Sequence, residues 1–212
     1  ITNQPHYDRL QADLEKAKKE GSTFKEVDAE RDNVLNILNE LVPVYKDLTA
    51  YDDSKAYMND GGAKGKELAA KYVAAVEKFD AAYAKFNETL NKVNAEQSKK
   101  QIEKLKKDGK KGYAAAMEST LRLTELVDKL EKAPQNADKA AVEKELSEIE
   151  ALLKSINNDR GQVLADRYNS VVGDVRQVLA DPSDSNLNNM IEGFNGYIDT
   201  YNSTTPDQFD AK

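Results

Sequence analysis

Cysteine is absent from the 212-residue sequence, and histidine occurs once, as His6. Without cysteine, these residues cannot form disulfides, thiolate zinc sites or cysteine nucleophiles. A single imidazole leaves few partners for a metal site or for acid–base catalysis, and no glycine-rich phosphate loop occurs. We therefore predict no catalytic residue, no metal site and no cofactor, and we expect that the protein is not an enzyme.

Long apolar runs are also missing. No stretch of 18 or more consecutive apolar residues occurs, so no transmembrane span is predicted within these residues. Basic charge is in the minority, since the formal net charge is −7 and the pI is about 5.0. Duplex nucleic acid is bound largely through Lys and Arg contacts to phosphates, and we therefore predict no nucleic-acid partner.

The apolar residues recur with the period of a helix. After Gly62 they are spaced by three and four residues, which places them on one face of a long helix. No stretch shows sustained alternation with a period of two, so no strand is predicted. With 33% charged residues and a mean hydropathy of −0.76, the sequence predicts an all-α, elongated antiparallel helical bundle of about six or seven helices, two or three of them long.

We predict that residues 1–212 form a single helical domain, because no long linker rich in Pro, Gly or Ser occurs. Residues 1–22 contain a short first helix with Pro5 in its first turn. The longest helix is expected from about Ala63 to Asp108, after the turn signal Asn59-Asp60-Gly61-Gly62. Residues 203–212 are expected to be a polar tail.

Several helix boundaries can be predicted from local chemistry. Thr23-Phe24-Lys25-Glu26 has the pattern of a capping box. Asn136 or Asp138 is expected to cap a later helix. Pro43 predicts a kink or a break, because proline lacks an amide donor and clashes with the preceding turn. The residues after Gly161 form either a kinked continuation or a separate helix.

Aromatic residues at helical spacing form the first candidate binding site. The predicted ligand-binding residues are Tyr72, Phe79, Tyr83, Tyr168, Phe194 and Tyr201, with Phe86 and Tyr197 beside them. Such residues either pack in a core seam with their hydroxyls directed to water, or line a groove for an apolar or glycan ligand. Asn169, Asn195 and Asn202 follow three of these rings directly. Their amides can cap a helix, cross-link helices or contact a ligand, and we expect them to cross-link helices.

A lysine cluster is the one strongly basic region of the acidic sequence. It comprises Lys99, Lys100, Lys104, Lys106, Lys107, Lys110 and Lys111. Cations near a helix carboxyl terminus are favoured by the helix dipole, so the cluster can be a solvated helix end. The functional alternative is contact with an anionic surface, either a membrane or an envelope polymer.

A calcium loop is a weaker reading of the residues before the last helix. Asp181, Ser183, Ser185, Asn189 and Glu192 occupy positions one, three, five, nine and twelve of an EF-hand count. Asn186 stands where the motif has glycine, however, and a helix cap explains the polar residues here. We therefore predict a cap and no metal.

Several short motifs together resemble the YiiG-like family of bacterial envelope proteins, which are typically lipoproteins with a domain of unassigned function. The motifs are Tyr51-Asp52-Asp53, Gly65-Lys66-Glu67-Leu68, Phe79-x-x-x-Tyr83 and the aromatic-Asn pairs. The resemblance covers about Leu48 to Asn202. This chain has Ala69 where members often carry histidine, and only Tyr7 where they have a Tyr-rich first helix.

The resemblance implies export, a lipid on an upstream cysteine, and a helical body in the bacterial cell envelope. We therefore expect an exported, lipid-anchored protein with a non-enzymatic binding or structural role. An envelope protein, a lipid surface or a cell-wall polymer is the expected partner. Two alternatives stay open: a cytoplasmic coiled-coil-like adaptor or scaffold, and an envelope protein that binds a small ligand or glycan.

Overall fold

A computed structural model describes residues 6–211 of the protein. This part of the chain is helical and contains no strand, which confirms the all-α prediction. The helices are α1 (Tyr7–Glu20), α2 (Lys25–Asp53), α3 (Tyr57–Asp60), α4 (Ala63–Lys107), α5 (Lys111–Lys132), α6 (Lys139–Lys154), α7 (Asp159–Ala180), α8 (Asp184–Asn202) and α9 (Pro206–Phe209), with a 3-10 turn at Pro134–Asn136. Apart from the two four-residue helices α3 and α9, seven helices lie in residues 6–211, in agreement with the prediction of six or seven.

The internal contacts divide the chain into two compact units, with the boundary between Asn94 and Ala95. In unit 1, α1 and α2 pack against the first part of α4. In unit 2, α5 to α9 surround a larger core. The expectation of a single domain over residues 1–212 stays a prediction.

A buried cation joins α1 and α2 in unit 1. The Arg31 side chain, on α2, donates hydrogen bonds to Asp28 at 2.6 Å and to Asp32 at 3.0 and 2.9 Å. It also donates to the carbonyl of Ala17 at the end of α1. These bonds hold the pKa of the Asp32 carboxyl below its usual value. Because the guanidinium is paired as well as buried, Arg31 can fasten α1 to α2 without leaving a charge unsatisfied.

Of the kink or break predicted at Pro43, the structure excludes the break, because α2 continues through this residue. The kink stays a prediction. Proline removes only one amide, and the apolar residues before it, Leu41 and Val42, remain buried in helical geometry. The capping box predicted at Thr23 is wrong, because α2 begins at Lys25 with no side-chain cap. Instead, the hydroxyl of Ser22 accepts the amide of Phe24 at 3.0 Å, a local bond that competes with capping.

In unit 2, a side-chain cap marks the start of α6, α7 and α8, whereas α5 begins without one. Asp138 caps α6, as expected, and Asn158 and Ser183 cap α7 and α8. α7 is therefore a separate helix, with Gly161 in its first turn. The expected start of the first helix at Pro5 lies outside the described residues. Where the sequence predicts a polar tail, the structure instead has the short helix α9, and Phe209 is only 2% exposed.

Candidate functional site

The aromatic residues of α4 predicted to bind a ligand are packed in the core of unit 1. Phe79 is buried, and its ring lies 5.4 Å from Tyr83 in a stacked pair and 5.4 Å from Tyr7 edge-on. Tyr45 contacts both Tyr7 and Tyr72, at 5.9 Å in each case. Burial raises the pKa of the Tyr7 phenol, and the nearby Tyr72 hydroxyl adds to this shift. These rings pack against one another, as expected for a core seam rather than for a ligand groove.

The remaining predicted aromatic residues belong to unit 2. Tyr168 is buried, and Phe194 and Tyr201 are half-buried against the same core. Tyr197, fully buried, has its hydroxyl 3.1 Å from those of Ser119 and Thr120. The predicted set is therefore divided between two cores, with Tyr72, Phe79 and Tyr83 in one and Tyr168, Phe194 and Tyr201 in the other.

The asparagines that follow these rings do not cross-link helices. Asn169, Asn195 and Asn202 are exposed and make no side-chain hydrogen bond within residues 6–211. They lie about 100° around the helix from the aromatic residue that precedes each of them. Because each preceding ring faces the core, this rotation directs the asparagine side chain to solvent.

Two of the motifs that carry the family resemblance meet at the corner between α2 and α4. The hydroxyl of Tyr51 donates to the carboxylate of Asp60 at 2.6 Å. Asp60 also accepts the amides of Gly62 and Lys64, at 2.8 and 3.1 Å, just before and within the first turn of α4. A Cβ atom at Gly65 would lie 2.5 Å from the ring of Tyr51. The Tyr and the Gly of the two motifs therefore form one contact in which a side chain at position 65 has no room.

The last residues fold back onto unit 2, and we call residues 203–211 the C-terminal strap. Within it, the side chain of Gln208 accepts the amide of Thr205 at 2.9 Å, as in a capping box. Phe209 stacks on Tyr113 and on Tyr201, with ring centroids 6.2 and 6.1 Å apart. An aromatic side chain from the end of the chain thus completes the core.

Asn158 is the main polar clasp of the strap. Its side-chain oxygen accepts the first amides of α7, while its amide nitrogen faces the carbonyls of Gln208, Phe209 and Ala211 at 3.2, 2.9 and 3.1 Å. On the opposite side, Asp210 accepts the amide of Gly112 at 2.7 Å. A Cβ atom at Gly112 would collide with the carbonyl of Phe209, so the strap requires glycine there.

A half-open groove of about 600 Å³ lies between α5 and α6, next to the turn that joins them. Its apolar lining comes from Leu126, Leu130, Ala133, Ala137, Ala141 and Val142. Arg122 forms part of its rim and donates to Glu145 at 2.7 and 2.9 Å and to Glu148. This pairing holds the pKa of the Glu145 carboxyl below its usual value. The groove could not be predicted from the sequence, because its lining residues come together only when α5 packs against α6.

The seven clustered lysines have two kinds of environment. Three form ion pairs within unit 2: Lys99 with Glu125 at 3.5 Å, Lys106 with Glu118 at 2.8 Å and Lys110 with Asp207 at 3.3 Å. The Glu118 oxygen that Lys106 faces is shielded from solvent, and this contact raises the pKa of Lys106. The other four make no ion pair or side-chain hydrogen bond within residues 6–211 and are exposed: Lys100, Lys104, Lys107 and Lys111.

The EF-hand interpretation is excluded by the local structure. Ser183 caps α8 through its side chain, and the residues from Asp184 onward are helical, so they cannot form a calcium loop. Within the described chain, no group of three or more His, Cys, Asp or Glu side chains is placed to hold a metal ion. Over the same residues, no helix combines the length and the hydropathy needed to cross a membrane.

Comparison with known proteins places the chain in one family. A family model described as "Protein of unknown function (DUF3829)" matches residues 1–181, which is most of the chain and ends just after α7. No curated protein and no solved structure matches the chain. The chain therefore belongs to the DUF3829 family of proteins of unknown function.

Proposed function

We propose that this chain is the helical body of an exported bacterial envelope protein, anchored by a lipid on an upstream cysteine, that acts by binding rather than by catalysis. The proposal rests on the resemblance to the YiiG-like envelope family. The observation that carries it is the corner between α2 and α4, where Tyr51 and Gly65 of two separate motifs make one contact. Because the Tyr51 ring occupies the space beside Gly65, the two motifs are expected to occur together in proteins that share this fold. Such a pair supports the resemblance better than two unrelated matches do.

The binding role is supported by the groove between α5 and α6. A volume of about 600 Å³ lies within the range of about 300–1,000 Å³ that is usual for ligand sites. Its apolar floor and its charged rim suit a molecule that is partly apolar and carries a polar group, such as a lipid or cell-wall fragment. This observation favours the small-ligand alternative and places its site in the groove instead of at the aromatic residues predicted from the sequence.

The adaptor alternative has less support. A scaffold that binds partner helices would present a continuous apolar stripe. Among the described residues, the large hydrophobic side chains that are exposed are Tyr57, Met58, Val73 and Val163. Tyr57 and Met58 lie on the short helix α3, while the other two are single residues on α4 and α7, so they form no such stripe.

The export part of the proposal can be tested by protease treatment of intact cells and spheroplasts that express the full-length gene. An exported protein is digested once the envelope is opened, while a cytoplasmic control protein stays intact. Protection of the protein together with that control would contradict export.

The binding part can be tested by thermal unfolding in the presence of fractionated lipid and cell-wall fragments. A ligand that binds only the folded state raises Tm in a saturable way. Ala141→Trp fills the groove and should abolish the shift, whereas Ala151→Trp, at an exposed position of the same helix outside the groove, should keep it. No shift with any fraction, or equal shifts for both variants, would contradict binding in the groove.

A further inference from the structure

We propose that Lys100, Lys104 and Lys107, here called the lysine stripe, dock the protein on the anionic headgroups of a lipid bilayer. This inference rests on the proposed envelope function and assigns that function a surface and a partner. The three residues are spaced by four and three positions near the end of α4, which places them on one face of the helix.

The structure separates the lysines that hold unit 2 together from those that do not. Lys99 and Lys106 reach acidic residues on α5, and Lys110 reaches the C-terminal strap. These pairs hold the end of α4 against α5 and the strap and leave the lysine stripe exposed, with no partner among residues 6–211. The lysine cluster therefore contains two groups, one that forms ion pairs within unit 2 and one that is free to contact another molecule.

The helix dipole does not account for the unpaired lysines. It favours cations only within about the last turn, which covers Lys104 and Lys107 but not Lys100. Lys111 lies at the first residue of α5, where the dipole disfavours a cation, and the first turn of α5 contains no acidic residue. Like charges three and four residues apart also repel one another and destabilise a helix, and Glu103 and Asp108, which lie among these lysines, offset part of this repulsion. A surface of negative charge would relieve this repulsion.

The geometry and the residue types favour a bilayer. Lys107 lies seven positions after Lys100 on α4, a distance of about 10 Å at 1.5 Å per residue, and a straight row of this kind can lie flat on a surface. The depression beside the stripe is shallow and is lined by charged side chains alone, four lysines together with Glu103 and Asp108. Lysine acts as a mobile point charge, whereas planar recognition of bases or of single phosphates favours arginine and aromatic residues. The stripe has neither beside it.

The test measures binding of the purified chain, without its lipid, to vesicles that contain phosphatidylglycerol in phosphatidylcholine. The variant Lys100→Gln, Lys104→Gln, Lys107→Gln removes the stripe. The matched control is Lys66→Gln, Lys78→Gln, Lys92→Gln, which removes three exposed lysines of the same helix that have no ion pair within residues 6–211. Both variants have the same net charge, so they separate the stripe from general electrostatics.

We expect the wild-type chain and the control variant to bind these vesicles and to be released by salt, with little binding to pure phosphatidylcholine. The stripe variant should bind about 100-fold more weakly, from about fivefold for each lysine. Equal losses in the two variants, or no binding by the wild type, would overturn the inference. Binding to soluble polyphosphate without binding to vesicles would overturn the assignment to a bilayer. Because the chain tested carries no lipid, this result is independent of whether the native protein is exported and lipidated.

Discussion

The substitution Asn158→Asp should release the C-terminal strap while preserving the cap of α7. The side-chain oxygen of Asn158 caps α7 and its nitrogen donates to the strap, so the two roles use different atoms. Aspartate caps helices about as well as asparagine does, but it cannot donate to the carbonyls of the strap. The two N–H groups of the amide can make two of the bonds to the three carbonyls, and each is worth about 1 kcal/mol. We therefore expect the strap to be destabilised by about 2 kcal/mol.

Hydrogen exchange measured by mass spectrometry would show where the effect lies. Exchange should increase by more than tenfold in peptides that cover residues 203–211, since about 1.4 kcal/mol corresponds to a factor of ten. The first turn of α7 should keep its protection. Asn157→Asp is the control, because Asn157 is exposed and its substitution adds the same negative charge one residue away. Unchanged exchange in the strap, equal changes in both variants, or a larger change in α7 would refute the assignment of Asn158 as the clasp.

Three further substitutions test other contacts, each by thermal or denaturant unfolding. Both Gly65→Ala and Gly196→Ala gain the helix propensity of alanine, but only the Cβ at position 65 displaces the Tyr51 ring, while Gly196 lies in open space on α8. Relative to Gly196→Ala, Gly65→Ala should therefore be about 1 to 2 kcal/mol less favourable to stability. Tyr197→Phe should cost about 1 kcal/mol, because Ser119 and Thr120 lose their bond to the Tyr197 hydroxyl and keep only their bonds to the carbonyl of Ala116; a neutral effect would show that the bond to Tyr197 contributes nothing. Burial raises the pKa of the Asp174 carboxyl. The ionised carboxylate therefore destabilises the folded state at a pH above this raised pKa, and the wild type regains the lost stability as the pH falls to the pKa that Asp174 has in the unfolded chain. Asp174→Asn should therefore be more stable than the wild type at neutral pH, with a difference that shrinks in acid; a constant difference would contradict this.

The helices themselves could be predicted because their signals are local. The spacing of Tyr72, Phe79 and Tyr83 defines a face of α4 without knowledge of any neighbour. Gly61 and Gly62 both adopt positive φ before α4, as the turn signal indicated. The helical spacing of apolar residues stops after Val93 and resumes at Ile102 and Leu105, and both of these residues are buried within unit 2.

The parts that could not be predicted depend on contacts between distant residues. Phe209 is preceded by polar and turn-forming residues, so nothing in its neighbourhood indicates burial. Its clasp, Asn158, lies about 50 positions earlier in the chain. The distinction between paired and unpaired lysines depends in the same way on Glu118 and Glu125, which reach α4 only after α5 has packed.

Metabolic labelling tests the central claim most directly. Cells that express the full-length gene would be grown with labelled fatty acid and fractionated, and the protein would be isolated from each fraction. Our account predicts a labelled protein in the membrane fraction, and no label once the upstream cysteine is substituted. An unlabelled protein in the cytosol would contradict the account and would make the helical adaptor the better explanation of the fold.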